Sequence, residues 1–246
     1  MKVDVVLVPR LLDFCSVDDK AVVVIDVLRF TTTIVTALSY GAECIVPLEK
    51  PEDIFKFSKN YSGDNILKCG ERGGIRISGF DKGNSPREHI DDEKSLFKVR
   101  GKTLLVTTTN GTQIFASVKN GSIVITAGFV NMSSVVDKLV ELKKHCLIVC
   151  SGNEGKFSLE DTVCAGMIVG KLQERLSADS LNMGDDAVAS AALYDYYSDD
   201  LIGMFRQSEN GRNLVNIGLE DDFAFCAEID RFDLVPVLKN GFLVGS

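Results

Sequence analysis

The chain has 246 residues, a length that suits one large α/β domain or two small ones. With 45% hydrophobic and 25% charged residues, its composition is that of a soluble globular protein. The formal net charge of -8 excludes a global positive field that would attract nucleic acid or an anionic membrane, so any anionic ligand must rely on local positive charge or on a metal ion.

The cysteines and the apolar runs indicate the compartment. The seven cysteines are odd in number and form no C-x-x-C pair, a usage typical of buried thiols in a reducing environment. No apolar stretch approaches the ~18 residues that a membrane span requires. We therefore expect a cytoplasmic protein with a small anionic ligand, no nucleic-acid partner and no membrane contact; a homo-oligomer is compatible with the sequence.

Short apolar runs alternate with helical patterns along the chain. The runs predict strands at residues 3–8, 21–27, 43–47, 65–69, 103–106, 122–126, 146–150 and 233–238. The patterns between them predict helices at residues 32–40, 51–60, 112–119, 131–144 and 158–176. This alternation predicts βαβ units, and hence a three-layer α/β/α fold with a mainly parallel or mixed sheet.

The last quarter of the chain departs from this alternation. Residues 184–206 are rich in Ala and Tyr at helical spacing, and shorter helical pieces follow them. A helical cap or small subdomain is therefore expected at about 184–230. Because no low-complexity linker marks a boundary, we expect residues 1–246 to form a single catalytic unit.

Threonine is concentrated in two loops. Eight of the eleven Thr residues fall in residues 31–36 and 107–112, each between a predicted strand and a predicted helix. Hydroxyls beside the free N–H groups of a helix start favour a phosphate or similar anion, although Thr is also a good strand residue and a fair N-cap. The candidate ligand contacts in these loops are Thr31, Thr32, Thr108, Thr109, Asn110, Gly111 and Thr112.

Acidic residues fall close to the same predicted strand ends. Asp26 ends an apolar run, where a carboxylate is costly unless it is paired, hydrogen-bonded or bound to metal; an ion pair with Arg29 is the structural alternative. Glu154 lies in a glycine-flanked loop, and Asp161 lies in the first turn of a predicted helix, where an acid also complements the helix dipole. Together these oxygen donors suit Mg²⁺. With two histidines, His89 and His145, a His-rich site is excluded.

A long glycine-rich loop follows the predicted strand at 65–69. Residues 70–86 contain five glycines, which let backbone N–H groups approach an anion, and Arg72, which could clamp a carboxylate, sulfonate or phosphate. The loop matches neither the phosphate-binding loop of P-loop nucleotide hydrolases nor the glycine motif of dinucleotide-binding folds. It therefore indicates an anion site of another kind.

Five segments of the chain, in order, resemble the 2-phosphosulfolactate phosphatase family. These are residues 26–33, 70–74, 79–86, 107–112 and 154–161, and the resemblance runs from about Val3 to Pro236. The resemblance implies an α/β fold of the family's own and a Mg²⁺-dependent phosphatase. Its substrate would be (2R)-2-phospho-3-sulfolactate, and its product 3-sulfolactate, on a route to coenzyme M.

The residue patterns and the resemblance together suggest roles for individual residues. The expected catalytic residues are Asp26, Arg29, Glu71 and Arg72; Asn84 and Ser85 join the Thr loops as substrate contacts. Asp26, with one or more of Glu71, Glu154 and Asp161, would hold Mg²⁺ directly or through water, and whether Asp26 holds metal or attacks phosphorus stays open. A phosphatase of the same fold for another small phosphorylated hydroxy acid, and a non-catalytic sensor of anionic metabolites, are the alternatives.

Overall fold

A computed structural model describes residues 1–59, 65–93 and 95–246, and the strands in these ranges form one mixed sheet. The strands are β1 (Lys2–Val6), β2 (Ala21–Ile25), β3 (Cys44–Pro47), β4 (Ile66–Arg72), β5 (Ile75–Arg76), β6 (Thr103–Thr107), β7 (Ile123–Ala127), β8 (Cys146–Cys150), β9 (Asn182–Met183), β10 (Pro236–Lys239) and β11 (Phe242–Gly245). Their order across the sheet is β5-β4-β6-β3-β11-β10-β7-β2-β8-β1-β9.

Helices connect most of these strands. They are α1 (Phe30–Ser39), α2 (Pro51–Ser58), α3 (Gly111–Val118), α4 (Met132–Leu142), α5 (Leu159–Arg175), α6 (Asp185–Tyr197), α7 (Leu201–Gln207), α8 (Glu209–Asn216) and α9 (Asp222–Cys226). The predicted α/β class is confirmed, and each predicted strand and helix overlaps an observed one. Asn60, the predicted end of the second helix, lies outside the described residues.

The sheet consists of two parallel blocks joined by a hairpin. One block is β7-β2-β8-β1-β9 and the other is β3-β6-β4, and the hairpin β10-β11 pairs antiparallel with β7 on one side and with β3 on the other. The strands of one block therefore run in the opposite direction to the strands of the other block. Asn240 and Gly241 turn the hairpin with φ of 52° and 85°, as a tight two-residue turn requires.

The two blocks share one apolar core, although they are separated in the sheet order. Val24 of β2 and Val106 of β6 belong to the same buried cluster. In that cluster Phe30 of α1 and Phe115 of α3 meet edge to face, with ring centroids 6.0 Å apart. This packing brings the start of α3, after β6, next to the start of α1, after β2.

The opposite face of β2 is covered by other helices. Val23 and Ile25 belong to a second buried cluster that also contains Val163 of α5 and Val135 of α4. Since β2 is buried on both faces, its sequence is a continuous apolar run rather than an alternating one. The sheet thus lies between two helical layers, as the sequence predicts.

Side chains from the last four helices join that second cluster. The cluster includes Ala187 of α6, Phe205 of α7, Leu214 of α8 and Phe223 of α9. This anchoring places α8 beside the loop that follows β2. Among the described residues, no helix is long and apolar enough to cross a bilayer.

Candidate active site

The loops after β2, β4, β6 and β8 meet helix α8 around a cavity of about 330 Å³. Its acidic wall carries Asp26 and Glu154, from the loops after β2 and β8, and Glu71, from the end of β4. Arg29 lines the same cavity. Ligands of open α/β sheets gather at the carboxyl ends of strands, so this is where a substrate is expected to bind.

Asp26 lies at the end of β2, next to the first turn of α1. Its Oδ1 accepts a hydrogen bond from Phe30 N at 3.2 Å, and its side chain is 8% exposed. Burial raises the pKa of Asp26 to about 7; the Phe30 N–H opposes this rise, and the charges of Glu71 and Glu160 add to it. Among the described residues no Lys or Arg pairs with Asp26, so its carboxylate can still take a cation.

Arg29 is held in place by two partners. Its Nη1 donates to Asp222 Oδ2 at 2.8 Å, and its Nη2 donates to the carbonyl oxygen of Gly74 at 2.7 Å. The ion pair that the sequence suggested between Arg29 and Asp26 is therefore formed with Asp222 instead. Arg29 therefore presents to the cavity a guanidinium whose positive charge is already partly balanced by Asp222.

The first Thr cluster holds the backbone behind the cavity. Thr31 Oγ1 donates to Asp26 O and accepts from Asp26 N, and Thr32 Oγ1 donates to Val27 O. Both hydroxyls are fully buried. Thr31 and Thr32 thus shape the turn that presents Asp26, and neither lines the cavity.

The second Thr cluster divides in two. Thr108 and Thr112 hydrogen-bond to each other across the first turn of α3 and are buried. Thr109 and Asn110 line the cavity. Thus, of the four predicted contacts in this loop that have side chains, two lie on the wall and two lie behind it.

Glu71 ties two of the loops together. Its Oε1 accepts from Thr109 N at 2.7 Å, and its Oε2 accepts from Gly74 N at 2.7 Å and from Thr109 Oγ1 at 3.2 Å. A carboxylate that accepts from three such donors is fixed in position. Glu71 therefore orients the glycine turn and the Thr109 turn, and its charge faces the cavity.

Position 111 requires glycine because the first residue of α3 lies too close to Asp26 to leave room for a side chain. A Cβ at this position would lie 2.4 Å from Phe30 Cδ1 and 2.6 Å from Asp26 Oδ2. The preceding side chain, Asn110, accepts a hydrogen bond from Glu154 N at 2.9 Å. Since Glu154 has a left-handed φ of 50°, this bond holds a backbone that a non-glycine residue rarely adopts. Asp26 and Glu154 are thereby fixed on adjoining sides of one short turn.

Arg72 points away from the cavity. Its Nη1 donates to Glu71 O, and its Nη2 donates to Glu49 O and to Thr107 Oγ1. The guanidinium fork clamps the end of β4 to the end of β6 and does not line the cavity. The structure places this predicted anion clamp in a supporting position.

Asp161 also lies behind the wall. Its Oδ1 accepts from Val27 N at 2.9 Å, and its Oδ2 accepts from Ser151 Oγ and Gly152 N at 3.2 and 3.1 Å. These bonds join the loop after β2 to the loop after β8. Burial first, and then the neighbouring Asp26 charge, raise the pKa of Asp161.

Asn84 and Ser85 occupy different positions relative to the cavity. Ser85 Oγ donates to Asp222 Oδ1 at 2.6 Å and is buried. Asn84 lines the cavity, and within the described residues its buried Oδ1 has no hydrogen-bond partner. A buried acceptor without a partner is costly, so this atom is available for a donor on a ligand or water.

The donor set at the cavity fits Mg²⁺, the ion that the resemblance implies. Mg²⁺ in proteins usually takes one or two carboxylates and completes its shell with water and substrate phosphate. Asp26 and Glu154 supply such carboxylates, and Asp26 has no cationic partner in the described ranges. In the same ranges no group of three or more His, Cys, Asp or Glu side chains could form an all-protein metal cage.

Sequence reasoning missed one whole wall of the cavity. Asn210, Asn213 and Asn216 of α8 line it, together with Leu214 and Ile217. The available signal was the spacing: three Asn residues three apart in a helix mark one polar edge. Asn153, in the loop after β8, was missed as well.

Comparison with known proteins identifies the family. A sequence profile described as 2-phosphosulpholactate phosphatase matches residues 6–241. A protein of Caldanaerobacter subterraneus subsp. tengcongensis is 40% identical over 225 residues, which are 92% of this chain and 90% of that protein. Proteins of Microcystis aeruginosa and Thermotoga maritima are 38% and 39% identical over 241 and 243 residues, in both cases 98% of this chain and 97% of the relative. All three are named "Probable 2-phosphosulfolactate phosphatase". The chain belongs to the 2-phosphosulpholactate phosphatase family, as the resemblance of its loop segments predicts.

Proposed function

We propose that this chain is a phosphoric monoester hydrolase that uses Mg²⁺ to convert (2R)-2-phospho-3-sulfolactate to 3-sulfolactate and phosphate. Family membership supports the reaction. The observation that carries the proposal is the cavity at the strand ends, where Asp26 is buried without a cationic partner in the described ranges.

The charges at the cavity support a requirement for a cation. The substrate carries a phosphate, a carboxylate and a sulfonate, whereas the cavity presents Asp26, Glu71 and Glu154. Arg29 is the cationic side chain among the described lining residues, and Asp222 already neutralises much of its charge. A polyanion would be repelled from this wall unless a divalent ion lay between them.

Asp26 and Glu154 would hold Mg²⁺. Bound there, Mg²⁺ would supply Lewis-acid stabilisation of the charge that develops on the phosphoryl oxygens. Asp26 keeps its carboxylate aimed into the cavity because Phe30 N holds Oδ1 and the Thr31 turn fixes the backbone. Asn110 holds Glu154 in place, because Asn110 Oδ1 accepts a hydrogen bond from the backbone N–H of Glu154.

Other residues of the chain bind and orient the reactants. Arg29 adds positive charge at the wall, and its two hydrogen bonds keep the guanidinium from swinging toward the carboxylates. Asn84 lines the same cavity, and its side-chain amide would help to orient a reactant. Hydrolysis then forms a bond from the water oxygen to phosphorus and breaks the ester bond, and the released sulfolactate oxygen takes up a proton. The rate would come mainly from positioning and charge stabilisation.

A reducing compartment suits this chain. All seven cysteines carry free thiols, and burial raises the pKa of Cys69, Cys146, Cys150, Cys164 and Cys226. Protonated buried thiols are unreactive. This usage supports a cytoplasmic location.

Phosphate release from a panel of phosphomonoesters tests the proposal. Purified protein would be assayed with 2-phosphosulfolactate, 2-phospholactate and phosphoglycerate, each with added Mg²⁺ and with EDTA. We expect the highest kcat/KM for phosphosulfolactate and loss of turnover in EDTA that Mg²⁺ restores. Faster turnover of phosphoglycerate would assign another substrate, and sulfolactate binding without any phosphate release would indicate a sensor.

A further inference from the structure

The cavity has two chemically different walls, and the proposed reaction uses only one of them. The acidic wall is formed by the strand-end loops. The opposing wall is formed by α8, which offers Asn213 and Asn216 to the cavity and contributes no charged lining residue. We infer that this amide wall binds the sulfonate of the substrate and selects sulfonate-bearing phosphoesters; the inference rests on the proposed function.

Helix α8 is anchored firmly enough to serve as a binding wall. Its N-cap Ser208 accepts a hydrogen bond from Gly211 N, and Asn210 Nδ2 donates to Leu28 O at 2.6 Å. Farther along the helix, Leu214 and Ile217 pack against the turn at Gly74, where an added Cβ would lie 2.6 Å from Ile217 Cδ1. The helix is thus attached to the loop after β2 and to the loop after β4.

The two later asparagines have free donors. Asn213 and Asn216 are exposed, and neither side-chain amide makes a hydrogen bond to a described residue. Residues three apart on a helix are neighbours on its surface, so both amides can reach one group. Each amide offers two N–H donors. Together they form a neutral donor pair on the edge of the cavity.

A sulfonate suits such a donor pair better than the other two anionic groups do. Phosphate has the highest charge, so it belongs beside the cation at Asp26 and Glu154. A carboxylate is attracted to the positive guanidinium of Arg29, which lines the cavity near Gly74. A sulfonate spreads one charge over three oxygens, which can accept several neutral N–H donors at once.

The placement also explains how the protein could discriminate against substrates without a sulfonate. A substrate with a methyl group in place of the sulfomethyl group, such as 2-phospholactate, leaves both amides without an anionic acceptor. Sites built to hydrogen-bond one group reject analogues that lack it more strongly than apolar pockets do. Asn213 and Asn216 are therefore specificity residues, whereas Asp26 and Glu154 serve every phosphoester.

The test compares two substrates that differ only in the sulfonate. The Asn213→Ala/Asn216→Ala double variant and the wild type would be assayed with 2-phosphosulfolactate and with 2-phospholactate. The control variant is Asn120→Ala, at an exposed position outside the cavity. Loss of two hydrogen bonds to a charged group is expected to lower kcat/KM for phosphosulfolactate by at least ~100-fold, with little change for phospholactate.

A parallel loss on both substrates would overturn the inference, because it would mean that α8 acts only as structural support. No loss on either substrate would overturn it as well. Calorimetric binding of 3-sulfolactate and of lactate gives a readout that does not need turnover. If the wild type released no phosphate, the proposed function would fail, and a selective loss of sulfolactate affinity in the double variant would still support the sulfonate site.

Discussion

Arg29 and Asp222, 193 residues apart in sequence, form a buried ion pair at the edge of the cavity. Arg29 Nη1 lies 2.8 Å from Asp222 Oδ2, and the two side chains are 3% and 4% exposed. Asp222 also accepts a hydrogen bond from Ser85 Oγ. The start of α9 thereby fixes both the loop after β2 and the loop that contains Asn84.

Replacing Asp222 should be far more costly than replacing its neighbour. Asp222→Ala would leave the Arg29 charge buried without its partner, which typically costs about 3–5 kcal/mol of stability. Asp221→Ala removes an exposed pair with Arg87 and should cost less than ~1 kcal/mol. Urea unfolding of both variants measures the difference. Equal losses would contradict a structural role for the buried pair.

Arg72→Lys should impair the enzyme without altering its choice of substrate. A lysine keeps the charge but cannot reach Glu71 O, Glu49 O and Thr107 Oγ1 together, so the ends of β4 and β6 should loosen. We expect parallel falls in kcat/KM for 2-phosphosulfolactate and 2-phospholactate, measured by phosphate release. A rise in KM confined to the sulfonated substrate would show that Arg72 binds ligand directly.

The sequence predicts the strand ends of the site well because they follow from local patterns. Asp26 closes an apolar run and Asn110 precedes a helix, so each is recognisable as a residue at a strand end. Because β2 and β6 belong to blocks that run in opposite directions, it is the packing of Phe30 against Phe115 that brings the two ends together. Which side chains face the cavity depends on packing instead. Asp161 and Arg72 turn toward backbone groups that are distant in sequence, and no local pattern reports such partners.

The hairpin was missed although its turn is visible in the sequence. Asn240-Gly241 between two apolar segments is a strong hairpin signal, yet only the first of the two strands was predicted. Without β11 the reversal between the two parallel blocks cannot be foreseen. The wall formed by α8 was missed for a related reason, since Asn210-Gly211 resembles a loop signal but lies inside a helix.

Glu71→Gln should disturb the junction of two loops. The carboxylate accepts hydrogen bonds from Thr109 N, Thr109 Oγ1 and Gly74 N, whereas a glutamine would place an NH₂ donor against at least one of these donors. An unsatisfied donor pair of this kind costs about 1–3 kcal/mol. We expect both the Tm, measured by thermal unfolding, and kcat to fall. A variant with unchanged Tm and unchanged kcat would contradict the claim that Glu71 holds the two loops together.

His89 should make the protein less stable as the pH falls. Burial, opposed by a bond to Ser85 O, lowers its pKa from 6.5 to about 4. Between these values the unfolded chain binds a proton that the folded chain does not, so stability declines as pH falls from about 6.5 and levels off below about 4.

The size of this effect is measurable by difference. The decline attributable to His89 is on the order of 2–3 kcal/mol. Urea unfolding of the wild type and of His89→Gln would be compared between pH 7 and pH 4.5, because the other titrating groups are common to both. We expect a smaller decline in the variant. Identical pH dependence would mean that His89 does not stay neutral in the folded state.

Phosphate release by Asp26→Asn tests the central claim most directly. The variant keeps the shape of the side chain and removes the charge that is proposed to hold Mg²⁺, so kcat/KM for 2-phosphosulfolactate should fall at least ~100-fold, while circular dichroism shows an intact fold. Near-normal turnover in saturating Mg²⁺ would contradict the assignment of this cavity as the active site.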